Sequence, residues 1–240
     1  MIKKILVLLW LSVLTQLAFA DDNLYEKNYK AQNSGGLVSM QASPDTKMYV
    51  SNHKDDDNIS MLENGYDMMG SSGFEAGNVS AELALAHAKL IKADTVLVYS
   101  KYASKQSSIS KIQAIKEAAK TTHEVDESVL KQDDERYDYY ASYWAKLPMP
   151  LLGVHVIKLK PIDEDTQPEL GLKVLAVIKD SPAAKANLQR GDNLLKIGEV
   201  ELQNPEELSA TVQKYQGKTV EIAYKRDGQI AVTQAILNSR

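Results

Sequence analysis

The side chains best suited to metal binding or general-base catalysis are four histidines and a short acidic run. His53 precedes Asp55 to Asp57, and the other histidines are His87, His123 and His155. Zinc ligands recur at short, fixed spacings along a chain, and no pair of these histidines has such a spacing. An acidic run at the start of a helix is more typical of a solvated N-terminus, where negative charge suits the helix dipole. We therefore predict no metal site and no cofactor.

A serine followed by two glycines is a second candidate for chemistry. The segment Asn33-Ser34-Gly35-Gly36 resembles the nucleophile segment of trypsin-like proteases. In those proteases the general base precedes the serine, whereas no histidine precedes Ser34 in this sequence. A catalytic triad depends on geometry and not on chain order, so His53 or His87 could serve instead. The N-terminal half is nevertheless too short for a double barrel, and we predict that the chain is not an enzyme.

Composition limits the classes of partner. The chain has 240 residues, of which 44% are hydrophobic, as expected for a globular protein with a real core. Its net charge is −4 and its sequence contains no basic stripe, which argues against nucleic acid as a partner because phosphates need clustered Lys and Arg. It contains no cysteine, so disulfides and thiolate chemistry are both excluded.

The first 20 residues have the pattern of a secretory signal peptide. Lys3 and Lys4 provide the positive start, residues 5–17 are mostly apolar, and Ala18 and Ala20 place small residues at the cleavage positions. A membrane-spanning helix needs about 20 apolar residues, which is more than this stretch provides. We predict cleavage after Ala20, a periplasmic or secreted location, and no stable membrane anchor after cleavage.

The sequence predicts two regions between the signal and the final domain. Residues 21–43 are polar and are predicted to form an extended lead-in, and residues 44–146 to form a small α/β module of unknown function. The clearest elements of that module are a helix that begins at Ser80 and a β-rich run from Thr95 to Tyr99. Further predictions are strands over 47–51, 66–70 and 137–146, a loop over 71–78, and helices over 55–64 and 109–120.

The pattern changes after Pro148 and Pro150, which mark the predicted domain boundary. Pro182 suits the first turn of a short helix, and Asn204 can cap a second one. Asp227-Gly228 is a strong hairpin signal between the last two strands. The predicted strands are 151–156, 171–178, 193–197, 200–202, 219–225 and 229–237, with the second helix over 205–215.

Residues 150–238 resemble a PDZ domain of the bacterial type found in the HtrA-family periplasmic proteases. Matching elements appear in the family's order: Leu-Gly-Val at 152–154, Ser-Pro-Ala-Ala-Lys-Ala-Asn-Leu-Gln-Arg-Gly-Asp at 181–192, Leu-Leu-Lys-Ile-Gly at 194–198, and the late helix. The sequence departs from the family at Asn187, where glycine is usual. The resemblance implies that this region is a partly open β-barrel with two helices. Together with the small α/β module predicted from the residues before it, this predicts an α+β fold for the chain.

The resemblance also implies how a peptide would bind. An extended ligand would add as a strand beside the opening strand, and successive backbone N–H groups of the preceding loop would bind its terminal carboxylate. The residues implied for this carboxylate-binding loop are Leu151, Leu152, Gly153 and Val154. His155 and Val156 would continue the ladder. The helix would contribute Ser209 and Val212 to the groove.

Together these features predict an exported, non-enzymatic, PDZ-containing protein. It would bind protein C-termini or extended peptide segments of other envelope proteins, as an adaptor or sensor in protein quality control or assembly. Two alternatives stay open at this point. One is a periplasmic hydrolase with its site in the N-terminal module, and the other is a PDZ-bearing component of a secretion machine.

Overall fold

The computed structural model describes residues 23–32, 36–103, 136–160 and 170–239, with four further residues between the second and third ranges. Those four are Gln113, Lys116, Glu117 and Lys120, all helical and exposed, in agreement with the helix predicted over 109–120. The predicted signal segment, Ser34, His123 and the rest of that helix lie outside the described residues. Within the described residues, no helix combines the length and the apolar character needed to cross a membrane.

The N-terminal module is built on a five-stranded sheet with strand order β1-β3-β5-β4-β2. Neighbouring strands are antiparallel, except that β2 and β4 are parallel. Its elements are α1 (Leu24–Lys27), β1 (Tyr29–Ala31), β2 (Lys47–Val50), α2 (Lys54–Glu63), β3 (Tyr66–Ala76), α3 (Glu82–Leu90), β4 (Thr95–Tyr102) and β5 (Tyr137–Lys146).

The structure corrects the prediction of an extended lead-in over residues 21–43. Asn23 caps α1 by accepting hydrogen bonds from the N–H groups of Tyr25 and Glu26, and its Nδ2 donates to the carbonyl of Leu83 at 2.8 Å. The side chain of Tyr25 is fully buried, with its ring edge-on to that of Phe74. Because this tyrosine fills the core and β1 pairs with β3, residues 24–31 belong to the N-terminal module.

The structure also corrects the predicted loop over 71–78, most of which continues β3. Gly70, Ser71, Ser72 and Gly73 are small residues that favour a loop when considered alone. At Gly70, however, a Cβ would lie 2.5 Å from the carbonyl oxygen of Lys30 and 2.6 Å from the ring of Tyr29. The glycine therefore permits the close approach of β1 to β3.

Both faces of this sheet are covered. On one face, α3 buries Ala84, His87 and Ala88 against a core that includes Tyr139 and Tyr143. On the other face, Leu97, Tyr99 and Trp144 form a smaller cluster with residues of and next to α2. The buried tyrosines of this half, Tyr25, Tyr99, Tyr139 and Tyr143, therefore pack its two clusters.

The second half of the chain forms a six-stranded antiparallel sheet with order β11-β10-β8-β7-β6, in which β9 pairs with β8. Its elements are β6 (Val154–Ile157), β7 (Leu172–Val177), α4 (Pro182–Lys185), β8 (Asn193–Ile197), β9 (Val200–Glu201), α5 (Pro205–Lys214), β10 (Thr219–Arg226) and β11 (Gln229–Ile236). One apolar cluster, drawn from residues 152–237, packs the two helices against the strands. Both halves combine helices with a sheet, in agreement with the predicted α+β class.

Local sequence explains the turns of this half. Ser181 caps α4 through the N–H of Ala184 at 3.2 Å. Asn187 has a φ of +60°, a left-handed conformation that asparagine tolerates better than most residues, so it can replace the usual glycine. Asp192 is buried and accepts two hydrogen bonds from Arg226, which ties the turn before β8 to the end of β10.

The two halves contact each other where α2 and β7 end. The N–H of Lys179 donates to the carbonyl of Glu63 at 2.8 Å, and its Nζ donates to Oδ1 of Asn64, also at 2.8 Å. In the connecting segment, the N–H of Leu147 donates to the carbonyl of Gly65 at 3.1 Å. These bonds hold the beginning of β3 close to the second sheet.

Candidate functional site

A groove of about 540 Å³ lies between β6 and α5 in the second half of the chain. All eight residues implied by the sequence resemblance line it: Leu151, Leu152, Gly153, Val154, His155, Val156, Ser209 and Val212. The structure thus brings the predicted loop, strand and helix positions together around one concave surface. Their roles in ligand binding stay predictions.

The loop before β6 depends on the absence of a side chain at Gly153. This glycine has a φ of +92°, a conformation that L side chains rarely adopt. A Cβ at this position would lie 2.3 Å from Cβ and 2.5 Å from Oγ of Ser181. Because Ser181 is fully buried as the cap of α4, it has no room to move away.

The hydrogen bonds of this loop leave donors available. The carbonyl of Leu151 accepts from the N–H of Asn238, that of Leu152 from Ala183, and that of Gly153 from Ile178. Within the described residues, the N–H groups of Leu152 and Gly153 donate to no partner. The loop therefore turns its acceptors into the domain and keeps two adjacent donors, as a site for a carboxylate requires.

Strand β6 is the open edge of the sheet, and its pairing shows which amide faces outward. Val154 lies opposite Val177, and the N–H of Ile178 donates to the carbonyl of Gly153. This geometry makes Val154 and Val177 a non-hydrogen-bonded pair, so the N–H and C=O of Val154 point away from β7. An extended peptide can bond to this edge by strand addition.

The structure differs from the expectation that the backbone of His155 continues the ladder with the peptide. His155 lies opposite Ala176 in the next pair of the ladder, which is a hydrogen-bonded one. Its N–H and C=O therefore face β7 and not the open edge. Its side chain lies on the face opposite that of Val154, because strand residues alternate. Burial lowers the pKa of His155, although the carboxylate of Asp67 acts in the opposite direction. Its Nε2 is buried and has no hydrogen-bond partner within the described residues.

Helix α5 forms the other wall of the groove. Asn204 caps it by accepting from the N–H of Glu207 at 2.8 Å, and Pro205 occupies the first turn. Leu208 is buried in the core, whereas Ser209 is exposed and Val212 is half-buried. The helix therefore presents a mixed wall, apolar at its base and polar at its rim.

Sequence reasoning missed several residues of the groove. Pro205 and Gln213 follow from the helical spacing of Ser209, since they lie four residues before and after it. Asp67 also lines the groove, although it lies on β3 of the N-terminal module. No local pattern could have identified Asp67, because its position depends on how the two halves contact each other.

The two candidate catalytic histidines of the N-terminal module lie in different environments. His53 is exposed at the start of α2 and makes no side-chain cap. His87 is buried between the rings of Tyr29 and Tyr143, at centroid distances of 4.8 and 5.1 Å. Burial lowers the pKa of His87, although the carboxylate of Glu26 acts in the opposite direction. No cluster of three or more metal-ligating side chains occurs within the described residues.

The groove has the means to bind an extended chain. It combines apolar side chains, two adjacent free N–H donors, an open strand edge, one imidazole and one carboxylate. Such a set suits a peptide, in which a main chain, a terminal carboxylate and alternating side chains need separate partners.

Comparisons with known proteins agree with this geometry. The PDZ domain family model matches residues 150–235. The zinc metalloprotease RasP of Shouchella clausii (strain KSM-K16) is 38% identical over 60 residues, which are 25% of this chain and 14% of that protein. The chain therefore covers only a small part of this curated relative's length.

Similar solved structures are PDZ domains and proteases of the HtrA type. The HtrA3 PDZ domain, bound to a phage-derived ligand (FGRWV), is 20% identical with a TM-score of 0.32, covering 36% of this chain and 83% of its own. The HtrA-type protease AlgW with a tripeptide is 29% identical with a TM-score of 0.32, covering 37% of this chain and 31% of its own. The family model alone confirms the resemblance found in the sequence, and residues 150–235 of this chain form a PDZ domain.

Proposed function

We propose that this chain is an exported, non-enzymatic protein whose PDZ domain binds the C-termini or extended segments of other envelope proteins. In this role it acts as an adaptor or sensor in protein quality control or assembly. The observation that carries the proposal is the loop at Leu152 and Gly153, whose carbonyls are bonded within the domain while its N–H groups have no partner among the described residues. A spacer domain would have no need for two unpaired donors at the end of an open strand edge.

The proposal assigns each part of the groove one task. The free N–H groups bind the terminal carboxylate, and the outward amide of Val154 starts the ladder with the peptide. The apolar base formed by Leu208 and Val212 receives the last side chain of the ligand. Charge-assisted hydrogen bonds to the carboxylate are each worth about 1.5–3 kcal/mol, so a free C-terminus binds more tightly than a blocked one.

The test is an NMR titration of the purified chain with peptides selected from a C-terminal library and with the amidated form of each peptide. We expect amidation to weaken binding about tenfold or more, and the chemical shift changes to cluster at residues 151–156 and 205–213. Equal binding of both forms, with shift changes elsewhere, would show that the groove does not bind a carboxylate.

Export is tested separately by mass spectrometry of the protein isolated from cells. The proposal requires a mature N-terminus at Asp21 in a soluble fraction, because Ala18 and Ala20 form the cleavage pattern. Recovery of a membrane-bound chain that retains residues 1–20 would instead favour an anchored component of a larger assembly.

A further inference from the structure

Asp67 brings the N-terminal module into the PDZ groove. It lies at the beginning of β3, directly after the segment Glu63 to Gly65 that contacts the PDZ domain through Lys179. Its carboxylate lines the same groove as Leu152, Gly153 and Val154. The peptide site is thus formed by two modules, although a PDZ fold alone provides the loop, the strand and the helix.

Among the described residues that line the groove, Asp67 is also the only one with a carboxylate side chain. The other described lining residues are apolar or uncharged apart from the imidazole of His155, whose pKa is lowered by burial. No ion pair within the described residues includes Asp67. Its Oδ1 accepts from the N–H of Met68 at 2.8 Å, and no hydrogen bond within the described residues reaches Oδ2. One oxygen is therefore available to a ligand.

Strand geometry decides which ligand side chain meets this carboxylate. Side chains of an added strand alternate between the two faces of the sheet. If the last side chain enters the apolar base below Val212, the penultimate one points to the opposite face. That is the face of the His155 side chain, which follows Val154 directly and has an unpartnered Nε2. The penultimate side chain therefore lies beside His155, and Asp67 lines the same groove close enough to act on the pKa of that imidazole.

The chemistry of these two groups selects a cation. The unbonded carboxylate oxygen of Asp67 can accept a hydrogen bond from a guanidinium or ammonium group, and the ring of His155 lies close to it. An acidic penultimate side chain would be repelled by the carboxylate of Asp67. This would add to the repulsion between Asp67 and the ligand's own terminal carboxylate. We propose that Asp67 and His155 form a specificity site for a basic residue at the penultimate position of the bound peptide. This inference rests on the proposed function, because it assigns a preference to the same groove.

The experiment uses three pools of C-terminal peptides with the same mixture at every position except the penultimate one. That position is fixed as Arg, norleucine or Glu, and the apparent Kd of each pool is measured for the full chain. We expect Arg to bind most tightly and Glu least. Asp67→Asn keeps the acceptor for the N–H of Met68 and should weaken the Arg pool about fivefold, leave the norleucine pool unchanged and improve the Glu pool.

Asp138→Asn is the matched control, since Asp138 is an exposed aspartate of β5 opposite Glu75, at the other end of the sheet. It should leave all three pools unchanged. Equal loss for the Arg and norleucine pools in Asp67→Asn would assign the residue a structural role and overturn the inference. Equal binding of all pools to the unmodified chain would overturn the inference alone. Failure of every pool to bind would overturn the proposed function together with it.

Discussion

At the scale of single residues, Gly153 and Gly191 offer a direct comparison. Both have positive φ values, +92° and +96°, but a Cβ at Gly153 would collide with Ser181 whereas one at Gly191 would meet nothing within 4 Å. Gly153→Ala should therefore weaken peptide binding about tenfold or more, because the loop must shift to relieve the contact. Peptide Kd values from fluorescence polarisation, together with thermal unfolding, provide the measurement.

Gly191→Ala is the control for backbone strain. It carries a similar cost for an alanine at positive φ, about 1–3 kcal/mol, without the collision. We expect it to lower the free energy of unfolding while leaving the peptide Kd unchanged in the folded protein. If both variants reduced binding equally, general destabilisation and not the loop geometry would be responsible.

His87 leads to a second prediction at the scale of single residues. Its ring nitrogens are buried without hydrogen-bond partners within the described residues, and aromatic rings of Tyr29 and Tyr143 surround it. An unsatisfied buried polar group costs about 1–3 kcal/mol. His87→Phe should therefore raise the free energy of unfolding at pH 7 by about 1 kcal/mol, as measured by denaturant titration. A loss of stability would reveal a polar role for the imidazole.

The same histidine should make stability depend on pH. Burial lowers its pKa in the folded state, with Glu26 acting weakly in the opposite direction, whereas the unfolded chain has a value of about 6.5. The unfolded state therefore binds the proton more readily, and the free energy of unfolding falls as the pH drops below about 6.5. His87→Phe should reduce this slope. His155 has a lowered pKa as well and should account for part of what remains.

At the scale of elements, helix α5 controls side-chain preference separately from the carboxylate-binding loop. Ser209 lines the groove, and its exposed neighbour Ala210 does not. Ser209→Trp should fill the space above Val212, so the preferred last residue of the ligand should become a smaller one. The terminal carboxylate should still bind, because the free N–H groups stay intact. Peptide-library selection on this variant and on Ala210→Trp provides the measurement. Identical preferences in the two variants would contradict the assignment of Ser209 to the groove.

The elements also show what a sequence can predict and what it cannot. The caps at Ser181 and Asn204 and the turn at Asp227-Gly228 are local, because the residues that form them are neighbours in the chain. The PDZ groove follows from such signals in a fixed order. The pairing of β1 with β3 is different, since Gly70 reads as a loop residue until Tyr29 is known to lie against it.

At the scale of the whole molecule, the contribution of Asp67 to the groove was beyond prediction for a related reason. It requires the end of α2 to contact Lys179, which lies more than 100 residues further along the chain. The few hydrogen bonds at this contact have no signature in composition or periodicity. By contrast, His155 was identified as a groove residue by its place after Gly153, and only the direction of its amide needed the structure.

The contact between the two halves leads to the last prediction. Within the part of the chain that the structure describes, the apolar core of the PDZ domain consists of residues 152–237, and the hydrogen bonds from the N-terminal module reach its rim at Lys179. A fragment of residues 147–240 should therefore fold and unfold in one cooperative thermal transition. It should keep its preference for a free C-terminal carboxylate, since the loop and α5 are intact.

The same fragment lacks Asp67 and should lose the preference for Arg over norleucine at the penultimate position. Calorimetry and the three peptide pools measure the two properties independently. A fragment without a cooperative transition would show that the N-terminal module is needed for folding. A folded fragment that still prefers Arg would place the cation-selecting group within the PDZ domain itself, with His155 as the residue to substitute next, because it is the other polar side chain on that face of β6.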